Sequence, residues 1–186
     1  MRSWFSTHRI ASLSWLATAC SLLAAARPNR ALADGETIPS VRAAMGPVID
    51  LDQGIPYFAI DVDGGALWAF EISGRGQPEP TSLFLLAEVG YSHTQRADHM
   101  LNLGGAIGVG TNIATIAYQP HFLFGSYDEG LGIGMRNTIA GLFLLRSLTI
   151  EAGHQFVNAE SLQHDLVILA GVNIGPVASL FLRNER

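Results

Sequence analysis

From Tyr57 onward the chain repeats with a period of two. Phe58, Ile60, Val62, Ala66, Trp68, Phe70 and Ile72 are apolar and fall on even numbers, whereas Asp61, Asp63 and Glu71 fall on odd ones. Such alternation describes a β-strand with one dry and one wet face, because successive side chains point to opposite sides. Asp63-Gly64-Gly65 has the composition of a hairpin turn. A two-residue hairpin would pair position i with i+3 and move the apolar face from even to odd. The face stays even, so the pattern predicts one strand over about 57–72 with a glycine kink or bulge.

The same rule continues along the chain. After the loop Gly74-Arg75-Gly76-Gln77-Pro78-Glu79-Pro80, a strand at about 82–93 puts Leu83, Leu85, Ala87, Val89 and Tyr91 on one face, with Glu88, Gly90 and Ser92 on the other. A polar turn runs from Thr94 to Asp98. Leu101, Leu103, Ile107 and Val109 then alternate with small or polar residues, Thr111-Asn112 can turn the chain, and Ile113–Phe124 returns. Further strands place Leu131, Ile133, Met135 and Ile139, then Leu148, Ile150, Ala152 and Phe156, then Leu166, Ile168, Ala170, Val172 and Ile174 on their apolar faces. The connections are short: Gly125–Glu129, Leu145–Ser147 and Asn158–Ser161. Between His99 and Tyr127 there is no Asp, Glu, Lys or Arg, which is also a property of a transmembrane helix. Gly104, Gly105, Gly108, Gly110 and Pro120 interrupt any run of about 18 apolar residues, so the strand reading prevails.

These segments predict an all-β fold, an antiparallel up-and-down β-barrel of about eight strands over residues 57–183. The count is eight if Val177–Leu182 is a last strand, and seven otherwise. Residues 34–56 hold Gly35, Pro39, Gly46, Pro47 and Gly54 and read as a leader, in which Met45–Asp52 is the other candidate for a strand.

Residues 1–33 have the form of a signal peptide: Arg2 and Arg9, an apolar run from Ile10 to Ala26, and Ala31-Leu32-Ala33 as the cleavage site before Asp34. A rival cut at Leu16-Ala17-Thr18-Ala19-Cys20 would lipidate Cys20. Removal of residues 1–33 takes Arg2, Arg9, Arg27 and Arg30 with it and leaves all 16 acidic residues. The acidic balance excludes nucleic acid as a partner, since phosphate binding needs basic clusters. The single Cys of the sequence is Cys20, so no disulfide framework supports the fold.

Charge also bears on which face of the barrel is dry. A water-facing surface carries about 25–35% charged residues, yet the whole chain has 15%, much of it in the expected turns and the leader. The polar faces are rich in Gly, Ala, Thr, Asn and Ser, which suit a narrow lumen. An apolar belt outside and small or polar residues inside is the membrane arrangement. Asp61, Glu71, Glu88, Arg136, Glu151, Asp165 and Asn173 would then form a polar cluster in the lumen, with Ile107, Val109, Ile133, Ile150, Ile168 and Val172 facing lipid. The alternative is a soluble exported barrel or sandwich whose aliphatic faces line a cavity for a small apolar ligand.

Glu88-Val89-Gly90-Tyr91, Gly130-Leu131-Gly132-Ile133-Gly134-Met135-Arg136 and the segment His164–Gly175 resemble strands of small bacterial outer-membrane β-barrel proteins. The resemblance covers about 57–182 and implies an eight-stranded barrel in the outer membrane of a Gram-negative bacterium, with both termini in the periplasm. It implies outer-membrane lipid and the barrel assembly machinery as partners, with no specific protein partner indicated. That family often ends on an aromatic residue, whereas Phe181 is followed here by Leu182-Arg183-Asn184-Glu185-Arg186.

No catalytic, cofactor or metal site is expected. Some outer-membrane barrels are lipid-modifying enzymes that pair a His with a Ser two residues later, but Gln155-Phe156 follows His154. His93 and His99 flank a turn without further ligands at metal-binding spacing. Gly130-Leu131-Gly132-Ile133-Gly134 lacks dinucleotide-site spacing and precedes no helix. Eight strands leave a lumen only wide enough for side chains, so no open pore is expected.

Overall fold

A computed structural model describes residues 36–72, 81–95, 99–127, 130–159 and 162–175. The signal segment 1–33 and the segment 177–182 lie outside them. Eight strands follow one another: β1 (Glu36–Asp50), β2 (Pro56–Glu71), β3 (Ser82–Thr94), β4 (His99–Gly110), β5 (Ala114–Tyr127), β6 (Gly130–Phe143), β7 (Leu148–Asn158) and β8 (Leu162–Asn173). Each pairs antiparallel with the next, and β8 closes on β1.

The barrel therefore begins at Glu36, and the expected leader over 34–56 is in large part its first strand. Pro39 and Pro47 hid it, because proline lacks the N–H that a central strand donates. The barrel accommodates Pro47 by interrupting a ladder. β1 pairs with β8 at Met45↔Ala170 and again at Val48↔Val167, with Gly46 and Pro47 skipped. Pro120 has the same effect on β5, where the register with β4 jumps from Gly104↔His121 to Ile107↔Tyr118.

β2 runs unbroken through Gly64 and Gly65, which face Val89 and Glu88 of β3. Glycine is needed at 65 for close approach: a Cβ there would lie 2.0 Å from the Ala87 carbonyl oxygen. The constant parity from Phe58 to Ile72 thus does mark one strand.

In-register neighbours traced around the wall run Ser40, Gly65, Glu88, Gly104, His121, Arg136, Gln155, Asp165 and return to β1 at Asp50. The path starts and ends on the same strand with a stagger of ten residues, Ser40 to Asp50. With standard strand spacings this stagger sets a strand tilt of about 40°.

Alternation decides what each wall contains. Ile107, Val109, Ile133, Ile150, Ile168 and Val172 are exposed on the outer surface, and Arg136, Glu151, Asp165 and Asn173 are buried inside. The start of β1 and the end of β8 lie at one end of the barrel, the terminus end, together with the joined ends of β2 and β3, β4 and β5, and β6 and β7; the other four consecutive strand pairs are joined at the opposite end. At the terminus end the lumen is filled by an apolar layer including Ile38, Leu67, Phe84 and Leu142. Leu144, Leu145 and Arg146 all adopt left-handed conformations in the β6–β7 turn, and the Arg146 guanidinium packs over the Phe84 ring at 5.5 Å. Smaller apolar groups, Val48 with Tyr57 and Val167, and Met100 with Leu123 and Val157, sit toward the opposite end.

Candidate functional site: a charged network in the lumen

Between these apolar layers lies a polar network held by two arginines. Arg42 on β1 donates from Nε (3.1 Å) and Nη2 (2.6 Å) to Asp63 Oδ2 on β2, and from Nη1 to Glu151 Oε1 on β7 at 2.7 Å. Its Nη2 is also 3.8 Å from Glu88 Oε1 on β3. Arg136 on β6 donates to Asp61 Oδ2 on β2, to Gln155 Oε1 on β7 (3.0 Å) and to Ser92 Oγ on β3 (3.1 Å). The two guanidiniums thus tie together strands from opposite walls. Arginine suits this task because its planar fork serves several acceptors at once and stays charged when buried.

The remaining members extend the network. Ser92 Oγ donates to Asp61 Oδ1, and Thr138 Oγ1 donates to Glu151 Oε2 at 3.1 Å. His121 Nε2 lies 2.6 Å from Glu88 Oε1. Gln155 Nε2 donates to Asp165 Oδ2 at 3.2 Å. Asp61, Asp63, Glu88, Glu151 and Asp165 are all buried, as are Arg42, Arg136 and His121. Carboxylates therefore outnumber guanidiniums. Glu88 Oε2, Asn102 Oδ1 and His121 Nδ1 are buried without a protein hydrogen-bond partner, which is how buried water is commonly accommodated.

Of the residues expected in the lumen, Asp61, Glu88, Arg136, Glu151 and Asp165 lie in this network. Asn173 is inside but nearer the terminus end, where its Nδ2 donates to Ser40 Oγ at 2.7 Å and its Oδ1 accepts from the Val41 amide at 3.3 Å. Glu71 does not belong. It is the last residue of β2 and is exposed: it still pairs with Ser82 of β3, but the pairing with β1 ends at Ala69, so Glu71 stands on the rim beyond the lumen.

Three central members were missed. Arg42 fell in the supposed leader. Asp63 shares odd parity with Asp61, a signal that could have found it, but its place before Gly64-Gly65 gave it the look of a turn residue. His121 follows Pro120, which obscures the alternation of β5; its pairing with Arg136 places it inside.

The network can clamp the walls together and fill the lumen. Among the described residues, no group of three or more His, Cys, Asp or Glu is arranged to hold a metal ion. The fold and the site define a closed eight-stranded antiparallel barrel with charges inside and aliphatic residues outside. Comparison with family models, with curated proteins and with solved structures found no match.

Proposed function

We propose that the protein is an outer-membrane β-barrel of a Gram-negative bacterium, with a structural or surface/periplasmic interaction role and no open pore. The observation that carries this reading is the outer wall. The strands hold ten Asp, Glu or Arg residues; Arg42, Asp50, Asp61, Asp63, Glu88, Arg136, Glu151 and Asp165 point inward, and only Glu36 and Glu71 stand at strand ends instead. An aliphatic surface encircling the whole barrel far exceeds the few hundred Å² that soluble monomers expose. In hydrocarbon it needs no further cover.

Dimensions agree. The strands are 11 to 16 residues long, against about 9–11 for a tilted strand that spans a bilayer. Aromatic residues gather toward both ends of the outer face, Trp68 and Phe70 near the termini and Tyr91 and Phe124 near the opposite end. Tyr91 Oη bonds His99 Nδ1 at 2.7 Å. Such girdles suit the boundary between hydrocarbon and water. The soluble alternative would need the aliphatic faces around a cavity, whereas they face outward and the interior holds a charge network. A lumen crossed by Arg42 and Arg136 and floored by Phe84 and Leu142 leaves interaction through the rim and loops as the role to be sought.

Fractionation of a Gram-negative host expressing the full chain tests the proposal. The expected result is recovery in the outer-membrane fraction, with different gel mobility before and after boiling. Recovery in the soluble periplasm with one mobility sinks it.

A further inference from the structure

Among the described residues three arginines occur, Arg42, Arg136 and Arg146, and all are buried. Arg42 and Arg136 each hold at least one carboxylate in an ion pair. Arg146 holds none among the described residues. It is 6% exposed, its Nε and Nη2 have no hydrogen-bond partner, and its guanidinium rests against the Phe84 ring. Burial draws that guanidinium below the usual arginine value, and no carboxylate pulls it the other way.

The turn between β6 and β7 aims this side chain. Leu144, Leu145 and Arg146 are left-handed in succession, with φ of 50°, 60° and 64°, a conformation that residues bearing a Cβ adopt where their surroundings impose it. Here the Leu144 and Leu145 amides donate to the Ile113 and Asn112 carbonyls of the neighbouring turn at 3.1 and 2.7 Å, and the Ser147 amide donates to the Leu144 carbonyl at 3.1 Å. Leu144 and Leu145 are left at the surface, while Arg146 turns inward to Phe84 of β3, on the far wall of the mouth. Ser147 Oγ and Thr149 Oγ1, next along the chain, are buried and also lack a hydrogen-bond partner.

A buried guanidinium does not shed its charge by losing a proton, and without a counter-charge it is costly. The contact with Phe84 offsets only part of that cost. We infer that Arg146, with Ser147 and Thr149, forms a binding site for a phosphate group in the mouth of the barrel at its terminus end. The Nε–Nη2 edge of a guanidinium matches two oxygens of an oxyanion side by side. A planar carboxylate spends both its oxygens on that edge. A tetrahedral phosphate keeps further oxygens outside the plane for the two hydroxyls. The phosphate is chemistry shared by two sources, a soluble phosphate compound and a lipid headgroup at the rim. The site lies apart from the lumen network, and it does not depend on which medium surrounds the outer wall.

The test is titration of the purified full chain, with 15N in its arginines, in a phosphate-free maltoside detergent at constant ionic strength in chloride. Inorganic phosphate is the first probe and short-chain phosphatidylglycerol the second. The Arg146 Nε–H resonance is read by NMR, and the 31P linewidth of the probe reports binding in the variants. The expected result is a saturable shift of the Arg146 resonance with one phosphate per chain. A response to inorganic phosphate supports a soluble ligand, and a response to phosphatidylglycerol alone supports a headgroup. Arg146→Lys, which keeps the charge and loses the fork, should weaken binding about tenfold. Thr149→Val should weaken it by a smaller factor, and Arg146→Gln should abolish it. The absence of a saturable shift with either probe overturns the inference. So does phosphate binding that is unchanged in Arg146→Gln.

Discussion

The two walls of each strand are made by opposite rules. In β6 the outward positions include Leu131, Ile133 and Ile139, all more than half exposed, while the inward ones include Arg136 and Thr138, each 1% exposed. In a water-soluble protein the hydrophobic effect would reverse this. The outer wall demands little of its side chains beyond being apolar. The inner wall demands partners, because a buried charge without one is costly. The outer wall thus tells what medium the barrel fits, and the inner wall tells how the strands keep their register.

The largest expected effect comes from breaking the inner wall. Arg136→Met leaves Asp61 buried without its guanidinium and should destabilise the barrel by about 3–5 kcal/mol, as removal of one partner of a buried pair does. Denaturant unfolding in micelles or bilayers measures it. The double variant Arg136→Met with Asp61→Leu should recover more than half of that loss, because no uncompensated charge remains. Next is the outer wall: Ile150→Arg, at a position 57% exposed, should cost about 2–4 kcal/mol when the face is in lipid. The same change on a water-facing surface would stay within about 0.5 kcal/mol, so this variant sharpens the contrast between media.

Smaller effects probe how closely the walls fit. At Gly104 an added Cβ would lie 2.3 Å from the Pro120 carbonyl oxygen and 2.5 Å from the His121 ring. Gly104→Ala should therefore cost about 1–3 kcal/mol by overpacking, and should shift the His121 ring resonances in NMR spectra. The smallest effect is on the outer face, where Tyr118 Oη donates to Asn137 Oδ1 at 2.6 Å. Tyr118→Phe removes that bond at a loss of about 1 kcal/mol.

Most strands were legible because period-two alternation is a local signal, and β2 to β8 keep it almost without exception. The continuous β2 could be read through Asp63-Gly64-Gly65 because parity is a stronger constraint than turn composition. β1 was legible only in its second half, where Met45–Asp52 is a candidate strand, although the inward residues Ser40, Arg42 and Asp50 alternate with Val41, Ala43 and Ile49 along its whole length. Pro39 and Pro47 outweighed that pattern, and only the register with two neighbouring strands reveals how the ladder skips Pro47. Losing the first half of β1 meant losing Arg42, so one of the two hubs of the network was invisible. Which inward charges meet is a matter of stagger. Asp61 and Arg136 stand on β2 and β6, across the lumen, and no spacing along the chain encodes that contact.

The claim on which the rest depends is that the outer wall faces hydrocarbon, and nitroxide spin labelling reads it most directly. Single cysteines would replace Leu131, Ile133, Ile139, Ile150 and Ile168 in turn, in a chain with Cys20 changed to Ser, and each label would be challenged with oxygen and with a water-soluble nickel chelate. Lipid-facing sites are predicted to be relaxed strongly by oxygen and weakly by nickel, with the ratio highest at Ile139 and Ile150 and falling toward Leu131 at the strand end. Nickel accessibility that is high and uniform at all five sites would contradict the account.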